Sequence, residues 1–219
     1  VIQNCTVTGS ITGPIRFGGL LAGSSFGTPS SNSKIIGCST EGNISGYSNI
    51  GGLLGSVKDS KLIDCTTDGH VQAQSHIGGI CGGSKNSEYQ NCTVHSLLTG
   101  VKIIGGLIGS SEGKENHEIE SCLFSGKIKA GRSIGGLVGC GLITIRDSIF
   151  DGLLQSYGDE RIGGLIGEVW DSTLSVENCT IAGQINSNKI GGILGSTHET
   201  IENTDIQIEN TSIKPKMSS

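Results

Sequence analysis

Eight cysteines and a few carboxylates and imidazoles are the side chains of this 219-residue chain best able to do chemistry. Cys5, Cys38, Cys65, Cys92, Cys122 and Cys179 recur at a near-constant interval, while Cys81 and Cys140 fall elsewhere. No Cys-x-x-Cys pair is present to suggest zinc. A His-Glu-x-x-His metallopeptidase motif is also missing, the nearest string being His117-Glu118-Ile119-Glu120-Ser121. Three residues after Cys38, Cys65 and Cys92 stand Glu41, Asp68 and His95, and two residues along from Glu41 and Asp68 stand Asn43 and His70. If successive intervals stack, these residues share one outward face. They are metal-ligand types, and paired carboxylates could also do acid–base work on a saccharide. The same residues equally describe a solvated ladder in which His95 relieves acidic repulsion.

The interval belongs to a repeat that runs through nearly the whole chain. A hydrophobic residue followed by a double glycine returns about every 29 residues. The pairs are Gly18 and Gly19, Gly51 and Gly52, Gly78 and Gly79, Gly105 and Gly106, Gly135 and Gly136, Gly163 and Gly164, and Gly191 and Gly192. An array with this period is made of units that cannot bury their apolar faces alone.

A second column confirms the period. Apolar residues at Ile2, Ile35, Leu62, Tyr89, Ile119, Ile145, Val176 and Ile201 stand three positions before the cysteine column, in which Ser148 and Thr204 replace two cysteines. Apolar or small residues follow the cysteine at spacings of two and six, with glycine mostly at four, which is the alternation of a strand with one buried face. The residue three before is out of phase with that strand, so a corner must intervene. Its occupants are Asn4, Gly37, Asp64, Asn91, Ser121, Asp147, Asn178 and Asn203, types that tolerate tight or left-handed backbone. The double glycines mark a second corner or a close approach of neighbouring backbone. With no amphipathic helical stretch, the expected fold is all-β: a right-handed parallel β-helix of about seven and a half coils, with rungs ~4.8 Å apart. The solenoid is expected over residues 1–208, followed by a polar tail over residues 209–219.

Stacking sets the expectation for the cysteines. Six occupy one inward column at disulfide-compatible Cα spacing, but parallel side-chain vectors disfavour bridge geometry. They read as small, reduced core fillers, with stacked disulfides as the alternative. Cys81 takes a place elsewhere held by Leu54 or Ile108, so it reads as core. Cys140 falls in a column otherwise of Ser, Gly or Glu, and is the best candidate for an accessible thiol.

Composition narrows the function classes. Glycine supplies 37 residues without the every-third rule of collagen. A net charge of −5 with interspersed signs offers no Lys/Arg stripe for nucleic acid. No apolar run is long enough for a membrane-spanning helix. The loop after each double glycine varies in length and content, so specificity is expected along one edge of the rod, with Trp170, Lys114 and His117 as candidate binding residues. Neither end carries an evident capping repeat, which suits either a segment of a longer rod or a unit whose ends stack head to tail.

The repeat resembles the GLUG-motif family, named for a Gly-Leu-hydrophobic-Gly core, here Gly52-Leu53-Leu54-Gly55 or Gly106-Leu107-Ile108-Gly109. Such repeats occur in bacterial surface and secreted proteins, including streptococcal IgA1-cleaving peptidases and adhesin-like proteins. The resemblance implies a non-enzymatic extracellular or cell-surface module, structural or adhesive, with no cofactor. Its partners would be a second copy, flanking domains of a larger surface protein, a glycan or a host protein. The alternative function is a β-helix that binds or cleaves polysaccharide through Glu41, Asp68 and His95.

Overall fold

A computed structural model describes residues 1–20, 30–112, 117–169, 173–186, 191–197 and 205–213. The chain is a parallel β-solenoid with no helix among these residues. Three walls wind along it: an eight-stranded ladder, a fifteen-stranded sheet and a seven-stranded ladder. The coil beginning at Lys61 illustrates the path. Lys61–Ile63 (β1) lies in the first wall, Thr66–Gln72 (β2) and Ser75–Gly78 (β3) in the second, and Cys81–Lys85 (β4) in the third. Glu88–Gln90 (β5) then opens the next coil in register on β1, placing Tyr89 on Leu62.

Three left-handed corners make this path possible. The first wall turns into the second at Asn4, Gly37, Asp64, Asn91, Ser121, Asp147 and Asn178, every one with φ between 48° and 58°. Short polar side chains and glycine tolerate this region, which fits the expected corner. A second left-handed column, Arg16, Asn49, His76, Ile103, Ser133 and Arg161, is not suggested by residue type. A third, at Asn32, Asp59 and Asn86, turns the last wall back toward the first.

The inward columns form one continuous core. Ile35, Leu62, Tyr89, Ile119, Ile145 and Val176 line the first wall, and Val94, Phe124, Phe150 and Ile181 the second. Ile50, Ile77, Ile104, Ile134 and Ile162 stand before the double glycines and are buried. Each double glycine carries the chain from the second wall to the third while packing against neighbouring backbone. A Cβ added at Gly105 would lie 2.0 Å from the Ile108 carbonyl, and one at Gly106 2.0 Å from the Gly136 carbonyl of the next coil.

The final coil departs from the expected register. Ile-Glu-Asn-Thr-x-Ile occurs twice, starting at Ile201 and at Ile208, and the structure uses the second copy. Asp205–Glu209 pairs with Thr173–Glu177, which sets Ile208 on Val176, and Ser212–Ile213 pairs with Thr180–Ile181. The left-handed corner is therefore Asn210, with φ 47°. Asn203, Ile201 and Thr204 lie outside the described residues. The ladder reaches Ile213, so the boundary drawn at residue 208 moves outward. Two equivalent phrases seven residues apart carry the same local signal, and only pairing with the preceding coil distinguishes them.

Candidate functional site

The candidate polar face is a row of rungs. Thr66–Gln72 pairs with Ser39–Ser45, which sets Asp68 on Glu41 and His70 on Asn43. Glu41, Asp68 and His95 are exposed and His70 is half-buried. Their bonds run sideways or to the next coil. Asp68 Oδ1 accepts from the Gly69 N–H at 2.6 Å, His70 Nε2 bonds the Thr99 hydroxyl, and His95 Nδ1 bonds that of Ser125. Among the described residues no group of three or more His, Cys, Asp or Glu side chains is placed to hold a metal. Each imidazole is engaged with a hydroxyl rather than with a carboxylate.

The cysteine column is reduced throughout. All eight cysteines are free; Cys5 is half-buried and the other seven are buried. Each thiol of the six-cysteine column caps the corner beside it. Cys38, Cys65, Cys122 and Cys179 donate to the carbonyl two residues back, at 3.2–3.3 Å. The Cys92 N–H donates in turn to Cys122 Sγ in the next coil at 3.3 Å. Ser148 performs both functions in its coil, donating to the Arg146 carbonyl at 2.7 Å and accepting from the Cys122 N–H at 3.1 Å. The column therefore selects a small buried group that both donates and accepts, beyond its volume. Burial pushes the Cys81 thiol up to about 12 and the Cys179 thiol to about 11, so neither is a thiolate at neutral pH.

Cys140 is a correction. It is fully buried, not accessible, and burial with the charges of Glu168 and Glu112 pushes its thiol far above the ordinary value. Its rung neighbour Glu168 is buried too, held by Arg161 Nη1 at 2.7 Å and the Ser133 hydroxyl at 3.1 Å. That column faces away from the central core but is covered by neighbouring side chains, which alternation along one strand does not reveal.

His117 is a second correction, since it lies inside the rod rather than on its loop edge. It is 6% exposed, and its Nε2 stands 3.0 Å from the Ser84 hydroxyl one coil earlier. Ser84 Oγ accepts from the buried Tyr89 hydroxyl at 2.7 Å, so it donates onward to Nε2. Burial lowers His117 to about 4, partly offset by the Glu112 backbone carbonyl, and the imidazole is neutral. Trp170 and Lys114 lie outside the described residues.

One feature escaped the sequence. An open groove of about 560 Å³ follows the bend between the two limbs of the second wall, from Gly46 to Tyr157. Gln72, Thr99, Lys129 and Gln155 stack in register on one side of it. Gln74, Val101 and Tyr157 stand on the other. The pairing shifts between Ala130 and Arg132, opposite extra residues in the following coil, and Tyr157 belongs to that excess. An irregular interval between repeats was the available signal, but it does not say at which corner the extra residues fall. Compared with family models, curated proteins and solved structures, the chain matches none.

Proposed function

We propose that this chain is a non-enzymatic extracellular module, a rigid β-solenoid that spaces and displays a binding surface in the manner of GLUG repeats. The observation that carries this reading is the close backbone contact between coils. At the second glycine of a pair, as at Gly52, Gly79, Gly106 and Gly136, an added Cβ would lie 2.0–2.4 Å from the carbonyl of the corresponding glycine in the next coil. Coils this close resist bending and sliding, as a spacer requires. Seven buried thiols with no disulfide suit an oxidising exterior as well as a reducing one, because a buried thiol reacts slowly. The alternative, cleavage of polysaccharide by Glu41, Asp68 and His95, draws less support, since neither imidazole bonds a carboxylate there. Beads carrying the chain, passed over mucin-coated and bare surfaces under flow, test the reading. Retention on mucin alone is expected, and equal retention on both surfaces overturns the adhesive role.

A second reading is end-to-end assembly, since among the described residues Ile2–Gln3 and Ser212–Ile213 each pair with a neighbouring rung on one side alone. Unpaired rungs are templates for further strands, whether from a continuing chain or a second copy. Electron microscopy across a concentration series, with light scattering, decides this. Filaments of uniform width support assembly, and monodisperse short rods overturn it.

A further inference from the structure

We propose that the groove beside Tyr157 binds a saccharide chain lying along the solenoid axis; the proposal rests on the display reading above and names the surface that does the displaying. Tyr157 is 69% exposed, yet its hydroxyl donates to the Gly100 carbonyl, 57 residues earlier in sequence. Its ring passes over Gly131, where an added Cβ would stand 3.1 Å from Cε2. The ring is therefore held in place with most of its surface in water, the arrangement of an aromatic platform.

The opposite side of the groove supplies hydrogen bonds at rung spacing. Gln72, Thr99, Lys129 and Gln155 occupy consecutive rungs, and Lys129 is the only charged residue among the described residues of the lining. The side-chain amides of Gln72, Gln74 and Gln155 are exposed and engage no partner among the described residues. Amides and hydroxyls both donate and accept, as sugar hydroxyls do, and the C–H face of a pyranose fits an aromatic ring. The floor is narrow and low because Gly46, Ala73 and Gly100 succeed one another there.

A peptide fits less well. Strand addition needs free main-chain edges, and here the rungs consume them: the Gly100 N–H donates to the Lys129 carbonyl and the Val101 N–H to the Gln74 carbonyl, both at 3.1 Å. Among the described residues the lining contains no carboxylate.

Titration calorimetry of the full chain with cellohexaose, chitohexaose and hexagalacturonic acid tests the proposal. At least one hexasaccharide should bind, with affinity lowered about tenfold or more by Tyr157→Ala, as expected for an aromatic anchor. Gln72→Leu combined with Gln155→Leu should weaken it as well. Asp68→Asn, on the separate acidic row, should leave it unchanged. Circular dichroism melts control for folding, and the glutamine double variant keeps the test open if Tyr157→Ala fails to fold. Failure of all three sugars to bind, or binding indifferent to both groove variants, overturns the proposal. Beads retained on mucin equally by wild type and Tyr157→Ala overturn the groove while leaving the adhesive module standing. Wild-type beads that mucin does not retain sink the adhesive reading by itself.

Discussion

The rings of Phe124 and Phe150 stack with centroids 5.9 Å apart and planes 10° from parallel, one coil above the other. Each fills the space a side chain would need across the core. A Cβ added at Gly106 would lie 2.6 Å from the Phe124 ring, and one at Gly136 2.7 Å from that of Phe150. The double glycine and the aromatic column are thus two halves of one packing arrangement. Parallel coils place like on like, so the large residues of one column demand absent side chains in the facing one.

Gly106→Val should therefore destabilise strongly. The new Cβ meets the Gly136 carbonyl, a backbone atom that cannot swing aside. Overpacking usually costs about 1–3 kcal/mol, and backbone collision places this variant at or above the upper end. Denaturant unfolding checks it, and an unchanged midpoint refutes the packing account.

The cysteine column makes a chemical distinction testable at one position. Cys122→Ser should cost about 1 kcal/mol or less, because a hydroxyl can make both bonds that Ser148 makes in the same column. Cys122→Val preserves bulk but leaves the Cys92 N–H and the Glu120 carbonyl without their sulfur partner. The Glu120 carbonyl still accepts from the Asn91 N–H, so the expected cost, about 1–3 kcal/mol, is that of leaving the buried Cys92 N–H unsatisfied. Larger damage from serine than from valine would show that volume alone governs the column. In the native protein a thiol reagent should modify Cys5 ahead of the seven buried cysteines.

His117 should make stability depend on pH. Its folded value is about 4 against an unfolded value near 6.5, so the unfolded chain binds the extra proton first. Stability is then full above pH ~6.5, falls as pH drops toward 4, and levels below it, with a loss on the order of 3 kcal/mol. The groups facing the ring are the Ser84 hydroxyl, with Tyr89 behind it, and the Glu112 carbonyl. Carboxylates also titrate near the lower limit, so the useful quantity is the difference between wild type and His117→Gln across pH 4–7. A difference that stays flat contradicts the buried neutral imidazole.

Asp68→Asn tests the reading of the acidic row as a solvated ladder. Asp68 sits in register on Glu41, and like charges on paired strand positions repel. Asparagine keeps the oxygen that accepts from the Gly69 N–H while removing the charge. A gain of about 0.2–1 kcal/mol is expected, shrinking in high salt. A marked loss would mean that the carboxylate is bound to something that stabilises it.

Much of this molecule was legible in one dimension. The period, the inward columns and the first left-handed corner could be read because each depends on residue type at a fixed offset from the cysteine, with asparagine, aspartate, serine or glycine where φ is positive. The corner through His76, Ile103 and Arg161 could not, because those side chains have no preference for left-handed backbone. Neighbouring coils impose it: the glycine at position 109 packs against His76, and that at 195 against Arg161. Cys140 and His117 were misjudged for a related reason, since their burial comes from residues one coil away. The sequence by itself determined that the chain would coil and which residues would face inward, because these follow from local alternation repeated many times. Only the tertiary structure decided which of two equivalent phrases closes the last coil, which loop residues are buried, and where Tyr157 reaches across to Gly100. Those outcomes depend on the register between coils about 28 residues apart, and register is a property of pairing rather than of any single segment.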